Sequence, residues 1–332
     1  MIYIVSDFRG SYHYVVDTLR EDAGAELIEL DPGRTLDRSI SKLGILRQIT
    51  TPRLLGLRQR WTEDDAVLVI AWYVLPVLLL MRLRLLRRPR RLVAMATFVH
   101  DSRLRRAVNL LLRGLASEEL EFIVFSDAER HNLVELVRIP PARVHKVLYR
   151  DKIDESDVAV AAEGRYIFTG GYSNRDYRTF FGAVRTLNDP IIAVASALSN
   201  LDEAPPNVDV RLDISWDAFE ELISACALLV LPLRAAGEAS GQNVLFRGIR
   251  HVRPVVATRH DSLVEYLGHD YPGFVPASDS EALRHAIDRG LRDDAFRRSL
   301  IEGVSAASER LREQEHVEAE IANILMRPAE AT

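Results

Sequence analysis

The stretch from Leu228 to Tyr266, LLVLPLRAAGEASGQNVLFRGIRHVRPVVATRHDSLVEY, sets an apolar run, a glycine-bearing loop, a helical pattern and a second apolar run in direct succession. Few folds accept that order. Leu228 to Leu233 and Pro254 to Thr258 read as buried parallel strands, whose two covered faces leave no polar alternation. Between them Gly237 and Gly241 flank Glu238 and Ser240, and a helix opens at about Ser240 with Val244, Leu245, Gly248 and Ile249 on one face. The first amides of such a helix lack internal partners and carry roughly half a positive charge, so the end suits a phosphate. A nucleoside diphosphate is the natural guest, with amides from Ser240, Gly241, Gln242 and Asn243 around it.

A second junction of the same kind lies upstream. Tyr166 to Thr169 reads as a strand, followed by Gly170, Gly171, Tyr172, Ser173, Asn174, Arg175 and Asp176, then a periodic helix through Phe180, Phe181 and Val184. Two glycines allow close backbone approach to a ligand, and Arg175 adds a planar fork of donors matched to phosphate oxygens.

Together these pieces resemble the C-terminal domain of glycosyltransferases with the GT-B fold, in the large retaining group called glycosyl transferases group 1. The resemblance runs from about Arg165 to Leu311. It is carried by FTGGYSNRDYRTFFGAV, ISWDAFEELISACALLVLPL, EASGQNVLFRGIRHVRPVVAT with DSLVEYL, and YPGFVPASDSEALRHAIDRGLRDDAFRRSL, in that order. It implies two Rossmann-like domains with parallel sheets facing across a cleft. The family carries two glutamates eight positions apart, the first near the donor sugar and the second on the nucleotide ribose. Glu238 matches the first. The second falls on Phe246, or on Arg247 when the alignment is anchored on Pro254, and neither is a carboxylate. The family's Arg after the first loop glycine is Tyr172 here, leaving Arg175 to stand for the basic pair.

At 332 residues the chain has the length of about two average domains. The N-terminal half has its own α/β rhythm, with strands over Ile2 to Val5, Glu26 to Leu30, Ala66 to Ala71, Leu92 to Val99 and Glu121 to Phe125. Helices are expected over Tyr12 to Leu19 and after Ser126, a helix cap. Such alternation gives a parallel sheet covered on both faces. With a polar linker in Asp151 to Gly164, the division is 1–155 for an acceptor domain and 156–332 for a nucleotide-sugar domain, with the last helix free to pack back on the first. Cys226, the single cysteine, sits in an apolar context and reads as a small core residue in a reducing compartment. MIYIVSDFRG lacks the basic and long apolar regions of an export signal, so a cytoplasmic location is expected.

Charge is uneven. From Arg34 to Arg113, 17 Lys and Arg stand against 5 Asp and Glu in a chain whose net charge is −5. SISKLGILRQITTPRLLGLRQR and MRLRLLRRPRRL interleave Leu or Ile with Arg, a pattern that fits peripheral contact with anionic lipid or an ordinary solvated basic face. No nucleic-acid-reading module accompanies it. The sixteen uncharged residues Ala66 to Met81 fall short of the roughly 20 a membrane helix needs, and Pro76 divides them.

His100 stands at the C-terminal end of an expected strand, where open α/β sheets bind ligands, and the resemblance places a His-Asp pair, here His100 and Asp101, near the transferred sugar. Gly10, Ser11 and Arg103 are the acceptor-side candidates. Ile214, in the Asp213 to Ser215 loop, is the candidate contact for the base. His251, His260 and His269 are nine apart, matching no metal template, and Glu63, Asp64 and Asp65 read as a turn before a strand. No metal or cofactor is expected, since Arg175 and helix amides can meet the charge on a leaving diphosphate. The function implied is transfer of a sugar from a nucleotide sugar to a lipid-linked or cell-surface glycan acceptor, with retention. Two rivals remain open: a catalytically inactive nucleotide-sugar-binding or scaffold protein of the same fold, and a nucleotide-sugar epimerase.

Overall fold

The computed structural model describes residues 1–6, 13–30, 52–97, 103–148, 164–172, 174–196, 199, 201, 203–234, 240–313 and 317–327. The chain divides into two compact units, Met1–Leu148 with Glu315–Thr332, and Tyr149–Gln314. The expected linker and its boundary after 155 fall largely outside the described residues.

In the first unit, β1 (Ile2–Ser6), α1 (His13–Ala23), β2 (Glu26–Glu29), β3 (Ala66–Ile70), α2 (Val74–Arg82), β4 (Arg91–Met95), α3 (Arg103–Leu115), β5 (Leu120–Val124), α4 (Asp127–Asn132) and β6 (Val144–Lys146) alternate. The sheet order is β2-β1-β3-β4-β5-β6, parallel throughout. β1, β3 and β4 are buried at every position, as runs such as AVLVI require. Val67, Val69, Leu92, Ala94 and Phe122 pack with Tyr73, Leu78 and Leu112 from the covering helices. Ser126 caps α4 by accepting the Glu129 amide at 3.1 Å. Asp65 accepts the Thr62 amide at 2.7 Å, closing the turn that precedes β3. Leu92 to Val99 was too long as a strand: the backbone leaves the sheet after Met95, where Ala96 adopts φ 57°.

The second unit runs β7 (Ile167–Gly170), α5 (Tyr177–Val184), β8 (Ile191–Ala195), β9 (Val208–Leu212), α6 (Trp216–Ser224), β10 (Leu228–Leu231), α7 (Gln242–Arg250), β11 (Val255–Thr258), α8 (Asp261–Leu267), β12 (Phe274–Val275), α9 (Ser280–Arg292) and α10 (Asp294–Glu313). Its sheet is also parallel, in the order β12-β11-β10-β7-β8-β9. Cys226 is buried, and burial pushes its thiol up to about 12, which keeps it inert.

The final helix, α11 (Val317–Met326), belongs to the first unit, packing on α1 and β3 through Val317, Ile321, Ile324 and Leu325. Arg91 donates to the Ile324 carbonyl at 2.6 Å while pairing with Glu121 at 3.3 Å. No helix among the described residues is long and apolar enough to cross a membrane. Ala66 to Met81 instead forms β3, a short 3-10 turn over Ala71–Tyr73 and most of α2, with Pro76 tolerated in the first helical turn.

Candidate functional site

The strand order itself marks a place. From β7 the chain proceeds outward to β8 and β9, then crosses to the other side of β7 to lay down β10, β11 and β12. Loops leaving β7 and β10 diverge at such a reversal, and ligands of open parallel sheets bind at the strand ends beside it. The two glycine-bearing stretches occupy these two positions.

After β7, Gly171 adopts φ 134°, a conformation closed to most side chains, and its amide donates to the Val194 carbonyl at 3.1 Å. Tyr177 at the start of α5 donates one hydroxyl shared between the Gly171 and Val194 carbonyls, 2.8 Å from each, while Asp176 caps α5 through the Thr179 amide. The chain then lays Arg175 antiparallel beside Leu233, the Asp176 amide donating to the Pro232 carbonyl at 2.8 Å. Arg175 is buried. Its Nε donates to the Gly170 carbonyl at 2.9 Å, and the guanidinium packs where a Gly171 side chain would stand. Burial, and not a neighbouring charge, lowers its pKa, and a guanidinium in a protein keeps its proton.

After β10, the helix begins two residues later than the sequence suggests. Gly241, at φ 83°, is the N-cap of α7 and has no side chain with which to cap it. Ser240 is not the cap because its polar groups are committed elsewhere: its hydroxyl accepts from Asn174 Nδ2 at 2.9 Å and its carbonyl accepts from Ser262 Oγ at 2.9 Å. These two bonds join the first loop, the second loop and α8. His260 caps α8, its Nδ1 accepting the Ser262 amide at 3.3 Å; burial, reinforced by Arg175 and opposed by Asp261, lowers its pKa.

A cavity of about 200 Å³ opens here, lined by Gly171, Tyr172, Arg175, Trp216, Phe219, Gly241, Asn243 and Val244. One wall is backbone and the Arg175 guanidinium, the other aromatic: Trp216 meets Tyr172 edge-on at 6.0 Å and Phe219 at 5.7 Å between ring centroids. The sequence reading missed Trp216 and Phe219, although the i, i+3 pair after the Ser215 cap of α6 was a usable signal. Tyr172, read only as the loss of an arginine, is part of that wall.

The structure therefore brings together Gly171, Arg175, Gly241 and Asn243 from the expected donor set, with Gly170 bonded to Arg175 and Ser240 bonded to Asn174 and Ser262. Gln242 is buried as the first residue of α7, and Ile214 is half-buried before Ser215; neither is among the residues lining the cavity. Arg247, at the family's ribose position, is engaged within the protein. It pairs with Glu220 of α6, donates Nε to Asn243 Oδ1 at 3.0 Å and lies 5.2 Å from the Trp216 ring centre. Arg250 and His251 converge on the same carboxylate at 3.7 and 2.7 Å. Helix periodicity explains the convergence, since residues 247, 250 and 251 share one face of α7. Gly10, Ser11, His100, Asp101, Ser173 and Glu238 lie outside the described residues, and Arg103 is described only as the first backbone position of α3. Among the described residues no three His, Cys, Asp or Glu side chains gather as metal ligands would.

No family model and no curated protein matches the sequence. Solved structures do match in fold. HepE of Anabaena in complex with UDP-glucose aligns with a TM-score of 0.70 at 14% identity, covering 98% of each chain. The E. coli trehalose-6-phosphate protein bound with UDP-2-fluoro glucose gives 0.71 at 12% identity, covering 98% of this chain and 99% of that one. WaaG, a glycosyltransferase involved in lipopolysaccharide biosynthesis, gives 0.70 at 13% identity over 99% and 100%.

Proposed function

We propose that this chain, which has the GT-B fold, is a glycosyltransferase that moves a sugar from a nucleoside diphosphate sugar to an acceptor hydroxyl. The observation that carries the reading is the cavity at the β7–β10 reversal, with Arg175 and the N-terminal end of α7 on one wall and Tyr172 and Trp216 on the other. Its volume is below that of sites for whole drug-sized ligands, so it holds one part of the donor. Diphosphate oxygens suit the cationic wall, and a flat base suits the aromatic one. UDP and UDP-sugars in structures of the same fold support this choice of donor.

In the transfer, the bond from the anomeric carbon to the diphosphate oxygen breaks, a bond to the acceptor oxygen forms, and the acceptor hydroxyl's proton passes to the departing diphosphate. Arg175 and the α7 amides meet the charge that develops on the leaving diphosphate, without calling on a metal. Glu238 orients the donor sugar's hydroxyls, and His100 with Asp101 contacts the donor sugar or the acceptor. Retention of anomeric configuration and a cytoplasmic, membrane-delivered, lipid-linked acceptor complete the proposal. They are supported by the resemblance in the first case and by the arginine surplus between Arg34 and Arg113 in the second.

The test is UDP titration by calorimetry in excess EDTA, followed by mass-spectrometric screening of nucleotide sugars with and without added acceptors. UDP should bind in chelator, and Arg175→Ala should weaken it by at least ten-fold, about 1.4 kcal/mol. Loss of binding in EDTA, or full affinity in Arg175→Ala, overturns the arrangement. The commitment of Arg247 to Glu220 at the family's ribose position favours a second reading, a binding protein without turnover. UDP affinity with neither sugar transfer nor donor hydrolysis would select it.

A further inference from the structure

We propose that the exposed faces of α2 and α3 form a docking surface for an anionic lipid bilayer. α2 buries Val74, Leu75, Val77, Leu78 and Met81, yet leaves Leu79 and, just beyond its end, Leu83 and Leu85 in solvent. On α3, Asn109 and Leu112 face inward while Leu110 and Leu111 are 64% and 50% exposed. One exposed leucine needs no explanation; three on two helices packed against each other, with two more in the turn that follows one of them, do. Arg82 stitches the two faces, its guanidinium donating to the Gly114 carbonyl at 3.5 Å.

Charge decides the occupant. Neither helix carries an acidic residue, and the segment after α2 adds exposed Arg84, Arg87, Arg88 and Arg90. Arg88 has a partner in Glu119 at 3.4 Å on the surface, an interaction worth little against a charged membrane. Nucleic acid would reward the arginines and gain nothing from the leucines. An apolar protein groove would reward the leucines and strand the arginines. A bilayer rewards both, with leucines entering the headgroup boundary and guanidinium groups resting at the phosphates. The sequence pattern pointed to MRLRLLRRPRRL, and the structure adds Leu110 and Leu111 of α3. The surface lies wholly in the first unit and does not depend on the donor site.

Sedimentation of the full chain with phosphatidylcholine vesicles, with and without phosphatidylglycerol, tests it. The protein should sediment with the anionic vesicles alone and be released as salt is raised. The double variant Leu110→Glu, Leu111→Glu, and separately Arg84→Glu with Arg87→Glu, should each lower partitioning at least ten-fold, while unfolding midpoint and UDP affinity stay at wild-type values. These positions are exposed, so the fold tolerates them. Equal sedimentation with both vesicle types, sedimentation with neither, or wild-type partitioning of both variants overturns the proposal. A chain that binds UDP but ignores vesicles overturns the surface alone.

Discussion

The loops after β7 and β10 each turn on a glycine with positive φ, yet the two glycines answer to different neighbours. Gly171 vacates space that the Arg175 guanidinium fills, so its missing side chain positions a charge. Gly241 caps α7, and the nearest described atoms a methyl there would meet are the flexible tips of Leu233 and Leu263, at 3.1 and 3.2 Å. One loop supplies its positive field through a side chain, the other through backbone amides. The same residue type thus serves two physical ends, and the sheet decides which.

Substitution by alanine separates them most sharply. Gly171→Ala combines backbone strain with displacement of a buried, hydrogen-bonded arginine, and should cost about 2 to 4 kcal/mol of stability together with at least ten-fold in UDP affinity. Gly241→Ala carries the smaller left-handed penalty, about 1 to 2 kcal/mol, with the leucine tips giving way. Chemical denaturation and calorimetry on the two variants check this. Equal losses would erase the distinction between the loops.

Glu220 sharpens the same contrast, because it holds the charges that follow the second loop. Glu220→Gln leaves Arg247, beside Trp216, and Arg250, beside Phe246, without their carboxylate, at a stability cost of about 1 to 2 kcal/mol, between the exposed and buried limits for ion pairs. Asn243 then loses the fixed Arg247 that orients its amide, so UDP affinity should fall a few-fold. Unchanged affinity would separate this network from the cavity.

The smallest effect is one of pH, at the point where the two loops meet α8. His260 has a folded-state pKa below its ordinary 6.5, chiefly through burial, so the unfolded chain binds the proton more readily. Its contribution to stability is therefore present above about pH 6.5 and lost as pH falls from there through the lower folded value. Denaturation midpoints measured against pH should show a slope in that window that His260→Asn flattens. Asparagine can still accept the Ser262 amide, so the cap survives. A slope of the opposite sign, or one untouched by the substitution, would break the assignment.

Much of this was legible in the chain. The apolar runs of β3, β7, β10 and β11, the Ser126 cap and the strand–loop–helix order of both junctions follow from patterns a few residues long, and these specified two parallel α/β units. Arg175 and the amide end of α7 were readable as anion donors for the same reason. The late start of α7 was not, because Ser240 is claimed by Asn174 and Ser262, partners 66 and 22 residues away. The return of the last helix to the first unit was open to the sequence as a possibility, and what holds it there, Arg91 donating to the Ile324 carbonyl across 233 residues, was not.

The sequence by itself determined which segments become strands and helices and where donors for an anion stand, because periodicity, capping and backbone freedom act between near neighbours. Tertiary structure alone decided that Tyr172 shares a wall with Trp216, that Arg247 turns to Glu220, and that leucines of α2 and α3 lie on packed helices. The physical reason is the crossover: the chain finishes β8 and β9 before returning to place β10 beside β7, so the side chains that meet at the strand ends are neighbours only once the sheet has formed.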